Sequence, residues 1–273
     1  MKWFKASSLA IICVLFVLPL VWMVSGSFTP MVGIMKMPPS IVPLHPTLDN
    51  YRAALAAGPV VLRWLANSII ITVSTTLLSL LVVGCAAYSL TVYKLKWSRL
   101  VYLAFAATMM VSRYSLLIPM FVLVRTYRLA GLLAVIMPGV FYPLGFFLMY
   151  DYMKRIPRDF VESARIDGAS EIRIFLQVML PICKPVVGAF LAFKALESFG
   201  DYIWQMLVLQ GDNEKTYIVG MIQRIYQDYI NTRLANYGVS MAVGMLTFLP
   251  LLFIYLFTNR YFIEGVTLGG IKE

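Results

Sequence analysis

The chain has 273 residues, of which 60% are hydrophobic and 13% charged, and its formal net charge is +10. A soluble globular domain is nearer half apolar and a quarter charged, so this composition excludes an ordinary soluble protein. Four charge-free runs exceed the roughly 20 residues with which a helix spans a bilayer; they are 6–35, 64–93, 129–150 and 234–259. The sequence therefore predicts an all-α, polytopic membrane protein.

Function classes that depend on a basic surface or on metal ligands are disfavoured. The positive charge comes without a soluble basic module, so we expect basic cytoplasmic loops and no nucleic-acid partner. The three cysteines lack metal-ligand spacing, and the sequence has one histidine, His45. A catalytic triad or a histidine-based metal site would depend on that single loop residue. We therefore predict no catalytic residues, no metal site and no cofactor.

Six membrane-spanning helices are predicted in chain order. The first, preceded by Lys2 and Lys5, also resembles a signal peptide. In a chain with many further spans, an uncleaved signal anchor is the better interpretation. The six predicted spans are 9–24, 64–92, 100–124, 132–150, 185–209 and 239–258.

The distribution of basic residues predicts the orientation. With the N-terminus inside, the cytoplasmic segments hold 13 Lys and Arg in 61 residues, against 8 in 69 residues on the opposite side. This difference follows the positive-inside rule, so both termini are expected in the cytoplasm. The predicted organisation is an N-terminal transmembrane helix (1–26), an external loop (27–63), a five-helix core (64–260) that includes a cytoplasmic loop (151–184) and an external loop (211–236), and a cytoplasmic tail (261–273).

Within the second external loop, apolar residues recur three and four positions apart, which predicts a short amphipathic helix. They are Ile218, Met221, Ile222, Ile225, Tyr226 and Tyr229. The periodicity favours packing on the bundle over contact with a partner, and both alternatives stay open.

Four ionisable residues lie inside predicted spans. Arg113 in the third span and Glu197 and Asp201 in the fifth lie at similar depths, roughly 20 Å along their helices. Lys194 precedes Glu197 by three residues and shares its helix face. Charges at such depth pair with one another or face a cavity. Arg113 is expected either to hold the two spans together or to line a solute pathway. Neighbours suited to hydroxylated rings are Tyr202, Trp204 and Gln205.

The cytoplasmic loop 151–184 has the pattern of two helices joined by a glycine. Pro157 suits the first turn of a helix over 158–167, and Gly168 suits the left-handed position past its end. Ser170 suits the cap of a second helix, which Pro181 interrupts. On the first helix an apolar cluster needs a membrane, the bundle or another protein to cover it. This cluster is Phe160, Val161 and Ala164.

Residues 162–169 read Glu-Ser-Ala-Arg-Ile-Asp-Gly-Ala and resemble the cytoplasmic loop motif of ABC importer permeases, E-A-A-x-x-D-G-A. Phe175 and Leu180-Pro181 follow in the family's order, while Ser163 departs from the alanine that is usual there. Shorter matches point to the carbohydrate-type subfamily, close to the maltose-type second permease. They are Asn50-Tyr51, Asn67-Ser68, Ala87-Tyr88 and the tail 260–272, so the resemblance covers nearly the whole chain.

This resemblance implies a MetI-like permease fold in a bacterial or archaeal cytoplasmic membrane. The loop would be the coupling helix pair that docks on an ATP-hydrolysing subunit, through Phe160, Val161, Glu162, Ala164, Arg165, Asp167 and Gly168. The implied partners are a second homologous permease chain, two ATP-binding subunits, an extracytoplasmic substrate-binding protein, a sugar and membrane lipid. Because the chain has no Gly-x-x-x-x-Gly-Lys-Ser/Thr stretch, we assign ATP hydrolysis to the separate subunit and do not expect an enzyme.

Alternatives of other classes remain. An ABC permease for amino acids or peptides is disfavoured by the C-terminal tail, and an intramembrane enzyme by the single histidine. An ion-coupled secondary transporter could use Glu197 and Asp201 as ion sites, but it would have no use for the coupling loop. Relatives usually have an uncharged stretch where this chain has Ser112-Arg113-Tyr114. An unpaired Arg113 would therefore favour an acidic sugar.

Overall fold

The computed structural model describes residues 2–34, 42–43, 45–56, 58–93, 96–211, 213–233 and 235–270, without the side chains of 2–6, 10, 32 and 259–270. The predicted tail motif therefore lies outside the described side chains. All regular structure in the described residues is helical. The helices are α1 (Lys2–Ser27), α2 (Met31–Ile34), α3 (Asp49–Ala54), α4 (Pro59–Val92), α5 (Ser98–Met110), a 3₁₀ turn (Arg113–Leu116), α6 (Leu117–Thr126), α7 (Leu133–Gly139), α8 (Pro143–Met153), α9 (Asp159–Ile166), α10 (Glu171–Ile174), a π-helical turn (Phe175–Met179), α11 (Leu180–Ile182), α12 (Lys184–Gly200), α13 (Tyr202–Val208), α14 (Tyr217–Thr232) and α15 (Tyr237–Gly270).

Three helices are long and apolar enough to cross a bilayer, over Ser7–Ser27, Pro59–Val92 and Tyr237–Thr258. Three further segments qualify only as bent pairs. These are Ser98–Met110 with Arg113–Thr126 (94°), Leu133–Gly139 with Pro143–Met153 (41°), and Glu171–Ile182 with Lys184–Gly200 (90°). In the last pair, Glu171–Ile182 belongs to the predicted cytoplasmic loop. The described residues thus contain three spans, or up to six if each bent pair forms one.

The third, fourth and fifth predicted spans are not continuous helices, so these three predictions need correction. In the fourth, residues 140–142 separate α7 from α8 at a bend of 41°. Between α5 and α6 the backbone is extended at Val111 and Ser112, with ψ of 123° and 130°. Pro119 provides a reason, because it removes an amide donor and fits only the first turn of the helix that restarts at α6. In the fifth predicted span, α12 ends at Gly200 and α13 begins after Asp201.

The chain divides into two compact units, of which the first comprises Met1–Ala66 and Thr216–Pro250. In this unit the side-chain amide of Asn50 donates to the carbonyls of Ser27 and Thr29, at 3.0 and 2.9 Å. The Tyr51 hydroxyl lies 2.8 Å from that of Ser27. The Asn50-Tyr51 pair, conspicuous in the sequence, therefore ties α3 to the end of α1.

Helix α14, also in the first unit, confirms the predicted amphipathic helix. Its first five residues, Tyr217–Met221, are buried, whereas Tyr226 and Tyr229 are 63% and 50% exposed. Only the N-terminal half of this helix packs on the protein.

The second unit comprises Asn67–Lys215 and Leu251–Glu273. One core joins α4, α8, α9 and α12 around the fully buried Phe146, Met149 and Phe190. A smaller core contains Ile71, Val124, Ala134, Trp204 and Leu209. The loop 151–184 contributes Val161, Ile174 and Phe175 to the first of these cores.

Candidate functional site

The first helix of the loop 151–184 is α9, one residue shorter at each end than predicted. Pro157 lies just before the N-cap residue Arg158 rather than in the first turn. Past the helix end, Gly168 has φ +76°, as predicted for a left-handed cap. The Ala169 amide donates to the Ala164 carbonyl and the Gly168 amide to the Arg165 carbonyl, both at 3.0 Å. This pair of bonds is the Schellman motif, which sets the angle at which the chain leaves α9.

The second helix of the loop is divided. Ser170 occupies the N-cap position of α10 with extended backbone, but its hydroxyl makes no capping hydrogen bond. A π-helical turn over Phe175–Met179 follows before Pro181. Because proline has no amide to donate to the preceding turn, a widened turn before it accommodates the lost bond. The predicted interruption at Pro181 thus takes the form of a π-helical turn.

The apolar cluster predicted for docking is divided between core and surface. Val161 is 4% exposed and lies in the core of the second unit, and Ala164 packs against the same core, so the prediction that they form an exposed face is wrong. Phe160 is 51% exposed. Two residues that the sequence reasoning missed, Ile166 and Ile172, are 86% and 74% exposed on either side of Gly168. Periodicity identifies an apolar face but not what covers it.

Glu171 connects the two loop helices to the end of α4. It accepts hydrogen bonds from the Arg165 Nε and from the Tyr88 hydroxyl, both at 2.7 Å. The Arg165 guanidinium also lies over the Tyr93 ring, at 5.4 Å. Arg165, predicted as a coupling residue, is therefore engaged inside the loop, whereas Glu162 and Asp167 are exposed.

Acidification is expected to weaken this connection. The hydrogen bond from Arg165, followed by that from Tyr88, holds the pKa of the Glu171 carboxyl below its ordinary value of 4.5. A lowered folded-state pKa means that the ionised carboxylate contributes stability above pH 4.5, and that this contribution is lost as the pH falls through the folded value. The effect is below about 1 kcal/mol, because both side chains are about 40% exposed.

Melting temperatures of wild type and Glu171→Gln, measured from pH 7 to pH 4, test this expectation. The difference in melting temperature between wild type and Glu171→Gln should stay constant from pH 7 to about pH 4.5 and shrink below that pH. Parallel pH profiles for the two proteins would contradict it.

The four charges of the broken spans form one cluster in the second unit. Arg113 donates from Nη1 to Glu197 at 2.6 Å and from Nη2 to Asp201 at 2.5 Å. Arg113 begins the 3₁₀ turn at the break after α5, and Asp201 lies at the break after α12. The pairing alternative is confirmed, and Arg113 is not the unpaired cation on which the acidic-sugar expectation depended.

Lys194 completes the cluster from the protein interior. Its side chain is 2% exposed, and Nζ donates to Glu197 at 3.2 Å. The same ammonium lies 4.7 Å from the centre of the Tyr142 ring, a cation–π contact. Two cations and two carboxylates give the cluster a formal charge of zero.

Two cavities adjoin this cluster. One of about 620 Å³ is lined by Arg113, Lys194 and Glu197 together with aromatic rings; the rings are Phe141, Tyr142, Phe193 and Trp204. A second, of about 320 Å³, is lined by Arg113 and Glu197 with Asp201 and Tyr202. The Arg113–Glu197 ion pair therefore borders both. Sequence reasoning missed the rings at 141, 142 and 193, because the first two lie in the connection between α7 and α8 and the third lies on α12, so they form no local pattern.

The three predicted pathway neighbours have different surroundings. Tyr202 is 41% exposed and lines the smaller cavity. Trp204 lines the larger cavity with its ring, and its indole N–H donates to the Ala134 carbonyl at 3.2 Å. Gln205 is 1% exposed and donates to the Ser198 carbonyl at 2.9 Å, which satisfies a carbonyl freed at the end of α12. Gln205 thus joins α12 to α13 and lines neither cavity described above.

Comparisons with known proteins agree with this architecture. Two Bacillus subtilis (strain 168) proteins are similar along most of their length. The arabinooligosaccharides transport system permease protein AraQ is 30% identical over 94% of this chain and 91% of its own. The galactooligosaccharides transport system permease protein GanQ is 32% identical over 97% of this chain and 93% of its own length.

Among solved structures, a bacterial ABC transporter described as importing the acidic polysaccharide alginate contains a chain with the same fold. The TM-score is 0.82 at 22% identity, over 96% of both chains. Residues 81–267 match the family described as "binding-protein-dependent transport system inner membrane component". This chain belongs to that family of transport-system inner membrane components.

Proposed function

We propose that this chain is the permease subunit of an ATP-driven ABC importer that moves a sugar or oligosaccharide into a bacterial cell. The observation that carries the proposal is the similarity, along nearly the whole chain, to permeases of two oligosaccharide transport systems. In this proposal the chain crosses the cytoplasmic membrane six times, both termini are cytoplasmic, and segments 27–63 and 211–236 lie outside.

The loop 151–184 is proposed to dock on an ATP-hydrolysing subunit. Its exposed apolar side chains, Phe160, Ile166 and Ile172, need a covering surface that the second unit does not supply. Glu162 and Asp167 add charge to the same exposed part of the loop. In this role Gly168 sets the angle between the two loop helices. The bond between Arg165 on the first helix and Glu171 on the second holds that angle.

The buried part of the loop gives it mechanical contact with the bundle. Val161 and Ile174 belong to the core that also contains Phe146 and Phe190 of α8 and α12. Because a close-packed core transmits displacement, movement of the loop moves these helices. ATP binding in the partner then favours one of two access states by binding it more tightly.

Arg113, Lys194, Glu197, Asp201, Tyr202 and Trp204 are proposed to border the sugar pathway, with Gln205 as their support. Aromatic faces and hydrogen-bonding groups suit hydroxylated rings. The breaks in the helices that carry the charges support this role, because substrate sites in transporters form at discontinuous helices. The alternating-access step would change which of the two cavities is open.

The proposed assembly contains a second homologous permease chain, two ATP-binding subunits and an extracytoplasmic substrate-binding protein, in contact with membrane lipid. This chain would carry no ATPase site of its own. An acidic sugar is a second candidate substrate, since the solved relative is described as an importer of alginate. The electroneutral cluster around Arg113 favours an uncharged sugar.

Uptake by proteoliposomes that contain the complete transporter tests the proposal. The probes are labelled arabino-, galacto- and alginate oligosaccharides, presented with the cognate binding protein. We expect uptake of at least one probe that requires ATP and survives collapse of ion gradients by ionophores. Uptake that is independent of ATP and abolished by ionophores would favour the ion-coupled transporter instead.

A further inference from the structure

Helix α4 carries hydroxyl side chains on its buried face. Between Ser68 and Ser79 every residue is described, and the buried positions are hydroxyl residues apart from Ile71. Other positions of this stretch are exposed and apolar; they are Ile69, Ile70, Val73, Leu77 and Leu78. When lipid covers the apolar side of this span, the hydroxyl residues face the rest of the protein.

Four of these residues, Thr72, Thr75, Thr76 and Ser79, form what we call the hydroxyl stripe. Their spacing of three and four residues places them on one side of the helix. Each is at most 7% exposed, and none of the four hydroxyl oxygens has a hydrogen-bond partner among the described residues.

Several other helical threonines of this chain satisfy their hydroxyls locally. Each donates to a backbone carbonyl three or four residues earlier, which is the usual solution in a membrane helix; they are Thr91, Thr108, Thr126, Thr247 and Thr258. The hydroxyls of the stripe make no such bond within the described residues. Since a buried hydroxyl without a partner is costly, these four are available to a partner outside the helix backbone.

One residue of the stripe, Thr75, lies behind the wall of the 620 Å³ cavity. Gly139 lines that cavity, and a Cβ atom on Gly139 would lie 2.8 Å from the Cγ2 atom of Thr75. Gly139 is the last residue of α7, and residues 140–142 separate it from α8 across a bend of 41°. The wall beside Thr75 is therefore a helix end next to a break, and breaks of this kind absorb the rotations of conformational change.

We propose that the hydroxyl stripe is a further part of the sugar pathway, where Thr72, Thr75, Thr76 and Ser79 exchange hydrogen bonds with substrate hydroxyl groups once the end of α7 moves aside. The inference rests on the proposed function, because it takes the substrate to be a sugar. Each hydroxyl both donates and accepts, so a row of them matches sugar hydroxyls in any orientation. The stripe carries no charge, so it places no requirement on the charge of the sugar.

Paired substitutions distinguish this role from simple helix packing. Thr72→Val and Thr76→Val remove the hydroxyl at nearly constant volume, whereas Thr72→Ser and Thr76→Ser keep it and remove the methyl group. Thr91→Val, in the same helix, is the control, because the Thr91 hydroxyl is bonded to the Ala87 carbonyl. ATP-driven uptake and melting temperature are measured on the complete transporter, with the oligosaccharide that the wild type moves fastest.

Each valine variant of the stripe is expected to lower uptake about fivefold, the effect of losing one hydrogen bond. Its melting temperature should equal or exceed that of wild type, since an unpartnered buried hydroxyl is gone. The serine variants should transport normally but melt earlier, and Thr91→Val should transport normally. If the wild type transports an oligosaccharide and the valine variants of the stripe take it up normally, this inference is wrong while the proposed function stands. A wild type that moves none of the oligosaccharides would overturn the proposed function, and this inference with it.

Discussion

Replacing Arg113 with glutamine is expected to lower ATP-driven uptake about tenfold or more and to lower the melting temperature of the complex. The substitution leaves Glu197 and Asp201 without the guanidinium to which both are bonded. Removing one partner of a fully buried ion pair costs about 3–5 kcal/mol, and because Arg113 is 47% exposed the cost here lies below that range, at about 1–2 kcal/mol. Arg113 joins the break after α5 to the break after α12, so its replacement destabilises the backbone at both breaks.

Arg125→Gln is the matched control, because Arg125 lies on the next helix and its guanidinium stacks over Phe121 at 5.0 Å. It should behave nearly as wild type, and the same mild result for Arg113→Gln would contradict the pairing role. The double variant Arg113→Gln/Asp201→Asn should recover part of the loss, since it removes the carboxylate left without an ion pair, whereas Glu197 keeps its bond from Lys194. Equal losses for neutral and acidic oligosaccharides indicate a structural pair. A loss confined to acidic ones indicates direct contact between Arg113 and the substrate.

Replacing Gly168 with valine is expected to uncouple the permease from its ATPase partner. Gly168 has φ +76°, where an L-residue costs about 1–2 kcal/mol and a β-branched one more. Apart from Gly168 and its two chain neighbours, no atom of the described residues lies within 4 Å of the position of a Cβ atom there, so the substitution acts through the backbone rather than through a clash. Loss of the Schellman bonds changes the angle between α9 and α10, and with it the spacing of Ile166 and Ile172.

Co-purification of the ATP-binding subunit and uptake in proteoliposomes measure this effect together. Gly168→Asn is the graded control, because asparagine tolerates the left-handed conformation better than other residues with a side chain. We expect the Gly168→Asn variant to keep most of both assembly and uptake. Gly168→Ala should lose part of each, and Gly168→Val nearly all. Unchanged assembly and uptake in the valine variant would show that this loop is not the docking element.

The structure of the loop 151–184 was predictable because its signals are local. The Gly168 cap and the amphipathic character of α9 depend on residues only a few positions apart. Hydropathy was less informative for the third, fourth and fifth spans, because an apolar segment has the same hydropathy whether its helix is continuous or broken. Pro119 was a visible signal of the break in the third span, and Gly200 lies at the break in the fifth. The buried position of Val161 had no sequence signal, since the core that covers it comes from distant helices.

Composition and short-range periodicity are enough to predict an all-helical membrane protein with a helix–glycine–helix loop, because they reflect how each segment meets lipid or water. They also identify the four charges of the predicted spans, since ionisable residues are conspicuous in an apolar chain. The pairing of Arg113 with both carboxylates across two helix breaks, and the inward position of Val161, emerge only from the folded chain. Partners 84 and 88 residues apart in sequence meet only when the helices pack. Local propensities do not encode that packing.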